Sequence, residues 1–304
     1  MAIDVNAAFE ERDRTISAML AQQLAATNYG AQAGPLLQQV DVDDVIVRYD
    51  FLMDQMGMRA LKENLVKKGL QKKGFTVETE QYHDNITIEL RKLATKHGGE
   101  YTMQAQGMMK QIPRFIDAKA AKLLKSTGGA FNDNLFDGVP YFSDSHPRFE
   151  AGGTQANLDD GGGGQYWYLF DTSSLAPVIW QWLKRPYMES LGPDSEYAKL
   201  KREVRWDLHV DTGWSMGLWY YGYASNQTLN ETSLQAAISA MQTVKTDAKT
   251  DGEDQLMGIQ PNLLVVGVSN VVAGRKLLNQ AFGSSGESNI YQGAMQLLEF
   301  AHLP

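Results

Sequence analysis

Phe75-Thr-Val-Glu-Thr-Glu-Gln-Tyr-His-Asp-Asn-Ile-Thr-Ile-Glu-Leu, residues 75–90, is written in the period of a β-strand on either side of a polar turn. Residues 75–80 and 86–90 alternate apolar and polar side chains, and residues 81–85 are polar throughout. Two alternating runs around a turn predict a β-hairpin. The hairpin holds few large apolar residues, and an isolated two-stranded ribbon is marginal in water. It must therefore lie on other surface. The chain leading into it is basic, with Arg59, Lys62, Lys67, Lys68, Lys72 and Lys73 against Glu63 alone.

Outward from the hairpin the chain reads as mixed α and β. Before it, residues 5–28 predict a helix with apolar positions at Phe9, Ile16, Leu20 and Leu24. A Gly/Ala-rich stretch (29–35), an acidic patch (Asp41, Asp43, Asp44) and a strand (45–52) follow. This beginning reads as an arm crossing a surface. After the hairpin, residues 100–126 carry Met108, Ile112, Phe115, Ile116, Leu123 and Leu124 at helical spacing, with Pro113 predicting a bend or a break. Residues 132–164 are loop-rich. Residues 166–170 predict a strand, 175–183 a short apolar helix ending before Pro186, and 203–210 and 218–223 two strands with glycines between. The last third predicts a helix (232–243), a buried strand (262–266), a helix (270–281) and a strand (294–298).

Composition narrows the function. A chain of 304 residues can bury about 75% of its unfolded surface and needs no staples. Zero cysteine removes disulfides, thiolate metal sites and cysteine nucleophiles together. A net charge of -8 argues against a protein with a basic nucleic-acid face overall. The charge is unevenly placed. Residues 59–125 hold 14 basic and 7 acidic residues, a net of +7, and the remainder holds 14 and 29, a net of -15. The start of the chain lacks the pattern of a secretory signal, and no apolar run approaches the ~18 residues of a membrane span.

The candidate catalytic and metal motifs are weak. Gly213-Trp-Ser-Met-Gly matches the nucleophile elbow of serine hydrolases, with Ser215 as nucleophile, but an elbow needs a helix after it. Here an aromatic, glycine-broken stretch follows, and the one histidine downstream is His302. Asp207, His209 and Asp211 alternate along a strand and would share a face, without an evident fourth ligand. Asp144 and His146 read as a turn before Pro147, His83 and His97 as solvated, and Gly161 to Gly164 as a flexible loop. With no constellation for chemistry, no cofactor and no metal are expected. An arm and a ribbon that need a neighbour point to an assembly protein.

Four motifs in order carry a resemblance. They are Phe136-Asp-Gly-Val-Pro-Tyr-Phe-Ser-Asp-Ser-His-Pro, Trp167-Tyr-Leu-Phe-Asp-Thr-Ser-Ser-Leu, Gly217-Leu-Trp219 and Pro261-Asn-Leu-Leu-Val-Val. Across residues 45–304 the chain resembles the major head subunits of Mu-like bacteriophages, which are similar to capsid proteins of the Hong Kong 97-type fold. The resemblance implies an α+β fold with an N-terminal arm (1–44), an extended β-hairpin loop region (45–98), a peripheral domain with a long spine helix (99–225) and an axial domain (226–304). It implies a major capsid protein that self-assembles in hexamers and pentamers into an icosahedral shell around double-stranded DNA, in the cytoplasm of a bacterial host. Lys67, Lys68, Lys72, Lys73, Phe75 and Tyr82 on the extended loop are the expected contacts to a neighbour. Lys119, Lys122 and Lys125 of the spine helix are candidates for weak contact with packaged DNA. A separate scaffolding protein and a portal are expected partners, with room for a decoration protein and no membrane. No covalent crosslink is expected. A serine hydrolase acting through Ser215, or a phage connector or tube subunit, is the alternative.

Overall fold

The structure, a computed structural model, describes residues 4–52, 72–93, 98–125, 134–149, 151–247, 249, 253–282 and 286–304. The helices are α1 (Val5–Ala25), α2 (Leu90–Leu93), α3 (Gly98–Met109), α4 (Gln111–Leu124), α5 (Glu196–Lys201), α6 (Glu231–Gln242) and α7 (Val271–Asn279). The strands are β1 (Leu37–Asp41), β2 (Ile46–Leu52), β3 (Lys72–Glu78), β4 (Glu80–Glu89), β5 (His146–Pro147), β6 (Thr154–Gln155), β7 (Leu158–Asp159), β8 (Trp167–Phe170), β9 (Val178–Leu191), β10 (Glu203–Met216), β11 (Gly222–Ser225), β12 (Leu263–Val266) and β13 (Gln296–Glu299).

Two sheets organise the chain. The first has the order β1-β9-β10-β4, and the second β13-β12-β8-β11-β7. A separate ribbon pairs β2 with β3, and a small one pairs β5 with β6. The expected hairpin at 75–90 is overturned. β3 and β4 alternate as predicted, but Thr79 is the only residue between them and they do not pair with each other. β3 runs antiparallel to β2, Ile46 opposite Glu78 through Leu52 opposite Lys72. β4 runs antiparallel to β10, Glu89 opposite Glu203 through Glu80 opposite Thr212. The polar stretch read as a turn is extended strand in an exposed edge position. Fourteen-residue β9 replaces the short helix expected at 175–183. Its first five residues are all buried, so the apolar run carries no alternation there. Pro186 lies where the β9–β10 register shifts, as proline in a sheet does.

The helices follow the sequence more closely. Asp4 caps α1, its carboxylate accepting from the backbone N–H groups of Asn6 and Ala7. The helix expected at 100–126 breaks at Lys110 into α3 and α4, so that Pro113 falls in the first turn of α4, where its missing N–H costs nothing. Asn230 and Ser233 form a reciprocal capping box at the start of α6.

The arm belongs to this subunit's own core. Phe9 stacks on Trp206 at 5.1 Å, Trp206 donates its indole N–H to Asp13 at 2.9 Å, and Ile16, Leu20, Tyr29 and Leu36 are buried. Asp117 of α4 accepts from the buried N–H of Ala33 at 2.8 Å. Trp167, Trp180, Trp182 and Trp206 are fully buried, so most of the indole surface fills this core. The second sheet crosses the expected domain boundary at 225/226: β8 and β11 lie before it, β12 and β13 after it, and β8 pairs with β12. The strand residues 166–170 and 222–225, expected in the peripheral domain, thus share a sheet with strands expected in the axial one.

Candidate assembly site

The motif at 136–147 closes on itself through His146. The Asp137 and His146 side chains have no exposure, and Asp137 Oδ2 lies 2.6 Å from His146 Nδ1. Nε2 lies 3.1 Å from Asn157 Oδ1 and 3.2 Å from the Tyr141 carbonyl. The ring stacks on Trp219 at 4.0 Å and 5°. Two motifs far apart in sequence, 136–147 and 217–219, are therefore one contact. The turn expected at Asp144–His146 omits this burial, because nothing in a lone histidine marks it as core.

The other two motifs also meet. β8 pairs with β12, Phe170 opposite Leu263 through Trp167 opposite Val266. Buried Asp171 accepts from the backbone N–H groups of Ser173 and Gln260, both at 3.0 Å, and Asn262 Oδ1 accepts from Thr172 N–H at 3.0 Å. Tyr168 of β8 donates to the Leu124 carbonyl at 2.6 Å and so satisfies the C-terminus of α4. Arg148 extends the network by donating to the Thr246 carbonyl and to Asp254, and Lys245 also pairs with Asp254. These two cations hold the Asp254 carboxyl well below the usual carboxylate range.

The residues expected on the extended loop separate. Lys67 and Lys68 lie outside the described residues, as do Arg59, Lys62 and His97. Lys72 and Lys73 stand on β3 opposite Leu52 and Phe51, at the far end of the β2–β3 ribbon. Phe75 stacks on Tyr49 across the ribbon at 5.8 Å. Among the described residues the ribbon meets the first sheet through Gln181: its buried amide donates to the Val77 carbonyl at 3.1 Å and to Thr79 Oγ1 at 2.8 Å, and its Oε1 accepts from the Tyr49 hydroxyl at 3.1 Å. Tyr82 is not on the ribbon at all. It stands on β4 opposite Val210, against Phe115 of α4 and Trp214 of β10.

Lys119 sits over the Tyr82, Trp214 and Phe115 rings at 4.6, 4.5 and 5.3 Å and donates to the Tyr82 hydroxyl. Partial burial, helped by Lys122, lowers the Lys119 pKa from its ordinary value. Burial and the hydrogen bond to Glu80 push the Tyr82 phenol up. Of the three spine lysines, Lys119 is therefore folded onto aromatic rings, while Lys122 and Lys125 are exposed. A groove of about 700 Å³ runs beside this cage between α4 and the sheet, lined by Ile112, Phe115, Leu208, Val210, Pro186 and His302 among others.

The chemical alternatives lose their geometry. Ser215 lies inside β10 opposite Ile179, on extended strand, and its hydroxyl donates to the Met216 carbonyl at 3.2 Å. No strand-to-helix elbow exists there. Asp207, His209 and Asp211 lie on β10, whose register shifts between His209 and Asp211; Asp207 is paired with Arg205, and no group of three metal-ligating side chains is placed to hold an ion among the described residues. His83 is exposed, as expected. No described helix is long and apolar enough to cross a membrane.

Comparison with known proteins agrees with this architecture. The chain superposes on the procapsid subunit of bacteriophage JBD30 with a TM-score of 0.77 at 20% identity, covering 98% of this chain and 99% of that one. It superposes on the JBD30 capsid with a TM-score of 0.74 at 16% identity over 90% of each chain. A third match is the JBD30 capsid decorated with minor capsid protein trimers, with a TM-score of 0.72 at 16% identity over 93% of this chain and 94% of that one. No curated protein matches. The fold is that of Hong Kong 97-type phage capsid subunits. The family model of the Mu-like prophage major head subunit gpT matches residues 14–303, and the chain belongs to that family, the major capsid proteins of tailed-phage heads.

Proposed function

We propose that this subunit closes an icosahedral head from hexamers and pentamers of itself, and that the β2–β3 ribbon carries the basic segment 59–73 onto a neighbouring copy. The observation that supports the ribbon's role is its attachment. Among the described contacts, it is fastened to the first sheet through Gln181, Thr79 and Tyr49, while Lys72 ends the ribbon six residue steps from Glu78. At ~3.3 Å per residue that is about 20 Å of reach. The split of +7 and -15 gives such a ribbon acidic surface to meet. Charge complementarity fixes partner and register more than raw affinity.

The arm (1–44), the loop region (45–98), the peripheral part (99–225) and the axial part (226–304) remain the working division, with the second sheet joining the last two. A separate scaffolding protein, a portal and, on the analogy of the decorated JBD30 head, a decoration protein are the partners this reading supplies. Packaged double-stranded DNA is contacted weakly, because the subunit is acidic overall. The chain performs no catalysis on this reading, and assembly takes place in the host cytoplasm. Reversing Lys67, Lys68, Lys72 and Lys73 to glutamate should abolish closed shells in negative-stain micrographs while circular dichroism stays that of the folded subunit. Normal shells from that variant sink the docking role. Rings in place of shells from the unaltered chain favour a connector.

A further inference from the structure

We propose that the loop from Asn134 to Asn157 is pinned by a buried proton: His146 is an imidazolium, ion-paired with Asp137, inside the folded subunit. The assignment follows from the hydrogen-bond directions around the ring. Asn157 Nδ2 donates to three backbone carbonyls, Tyr141 at 2.8 Å, Trp219 at 3.0 Å and Gly222 at 3.1 Å. Its amide orientation is thereby fixed, and Oδ1 is an acceptor that also takes the Ser143 N–H at 2.9 Å. His146 Nε2 faces this Oδ1 and the Tyr141 carbonyl, two acceptors, so Nε2 carries a hydrogen. Nδ1 faces the Asp137 carboxylate at 2.6 Å, a charge-assisted length. Asp137 Oδ1 in turn accepts from Val139 N–H. One hydrogen must lie between Nδ1 and Oδ2, since otherwise two acceptors would face each other with no water between them.

The surroundings favour that hydrogen on the ring. Trp219 presents its π-face to the imidazole at 4.0 Å, which attracts a cation. The titratable groups around the couple are Asp137 itself, the Tyr220 phenol, which burial keeps neutral, and Asp247 beyond Tyr220. The nearby cations Arg148 and Lys245 line a small pocket with Trp219 and Tyr220, and both are paired with Asp254. The proton therefore ties three places: the turn at 135–139 through Asp137, strand β5 through His146, and the segment before β11 through Asn157 and Trp219. Positioning, with no catalytic role, is its function.

Two measurements test the charge. Solid-state NMR of assembled heads labelled with ¹⁵N-histidine has five histidines to resolve, and His146→Gln identifies the fifth by its loss. Both His146 nitrogens should resonate as protonated at pH 7.5. One protonated and one bare nitrogen overturns the proposal. The second arm uses Asp137→Asn. A neutral ring could accept from the new amide, so a neutral His146 predicts an unchanged subunit. An imidazolium cannot, and the variant should then lose its paired ¹⁵N signature or fail to yield soluble subunit. Wild-type stability and an unchanged spectrum in Asp137→Asn overturn the ion pair.

Discussion

Lys119 shows what a single residue can decide here. Its ammonium is over three aromatic rings and next to Lys122, and the net effect of burial is to disfavour the charge. A lysine whose folded value is lowered leaves the unfolded chain holding more protons between that value and the ordinary 10.5, so stability rises with pH across that window. Methionine keeps the stem's packing and adds sulfur–aromatic contact of ~0.3–1.5 kcal/mol, while losing a cation–π term of ~0.5–1 kcal/mol. Lys119→Met should be neutral to stabilising, by up to about 1 kcal/mol, at neutral pH. Its advantage should shrink as pH approaches the ordinary lysine range. Urea unfolding at a series of pH values checks this, and a clear loss of stability at neutral pH contradicts it. Neither the cage nor the Asp137–His146 couple was legible from the sequence. Each is made by residues from distant segments, and a lone Lys or His has no periodicity to betray its burial.

At the scale of elements, Gly213 marks the joint between ribbon and sheet. A Cβ there would stand 2.5 Å from the Glu78 carbonyl oxygen and 2.8 Å from the Gln181 amide nitrogen, the groups that fasten the ribbon. Gly213→Ala should cost ~1–3 kcal/mol by overpacking and free the Gln181 bonds to Val77 and Thr79. A lowered urea midpoint with an unchanged slope is the expected result, and wild-type stability would show that the joint yields without cost. The glycine matches a serine-hydrolase motif by letters, yet its purpose is this close approach. The capped helices α1 and α6, and α7 with its amphipathic pattern, were readable from sequence. So was the buried apolar strand β12. Alternation also gave β3 and β4 correctly as strands, but alternation does not name a partner, and Thr79 is where the chain changes from one sheet to another. β9 was misread because a fully buried apolar run looks alike in helix and strand, and Pro186 resembles a helix stop when it is in fact a register shift.

For the whole molecule, the proposed assembly separates the force that holds the subunit from the one that joins subunits. The core is aromatic and continuous, from α1 across both sheets. The described parts of the first ~100 residues, which from sequence needed another copy to bury them, pack largely on their own subunit, from Phe9 on Trp206 to Ile88 in the sheet. In the proposed assembly, neighbours meet through charge at the ribbon's end and the surface that receives it. Exposed ion pairs contribute only ~0–1 kcal/mol each and are screened beyond about 10 Å at 0.1 M salt and about 3 Å at 1 M. A shell that begins from such contacts should therefore assemble more slowly as salt rises, while each subunit keeps its fold. Light scattering of purified subunits with their assembly partners, from 0.1 to about 1 M salt, should show the initial rate falling at least tenfold, with the tryptophan emission of the buried indoles unchanged. A rate that holds or rises with salt would move the driving force from the basic segment to apolar contact, because salt strengthens burial and weakens charge.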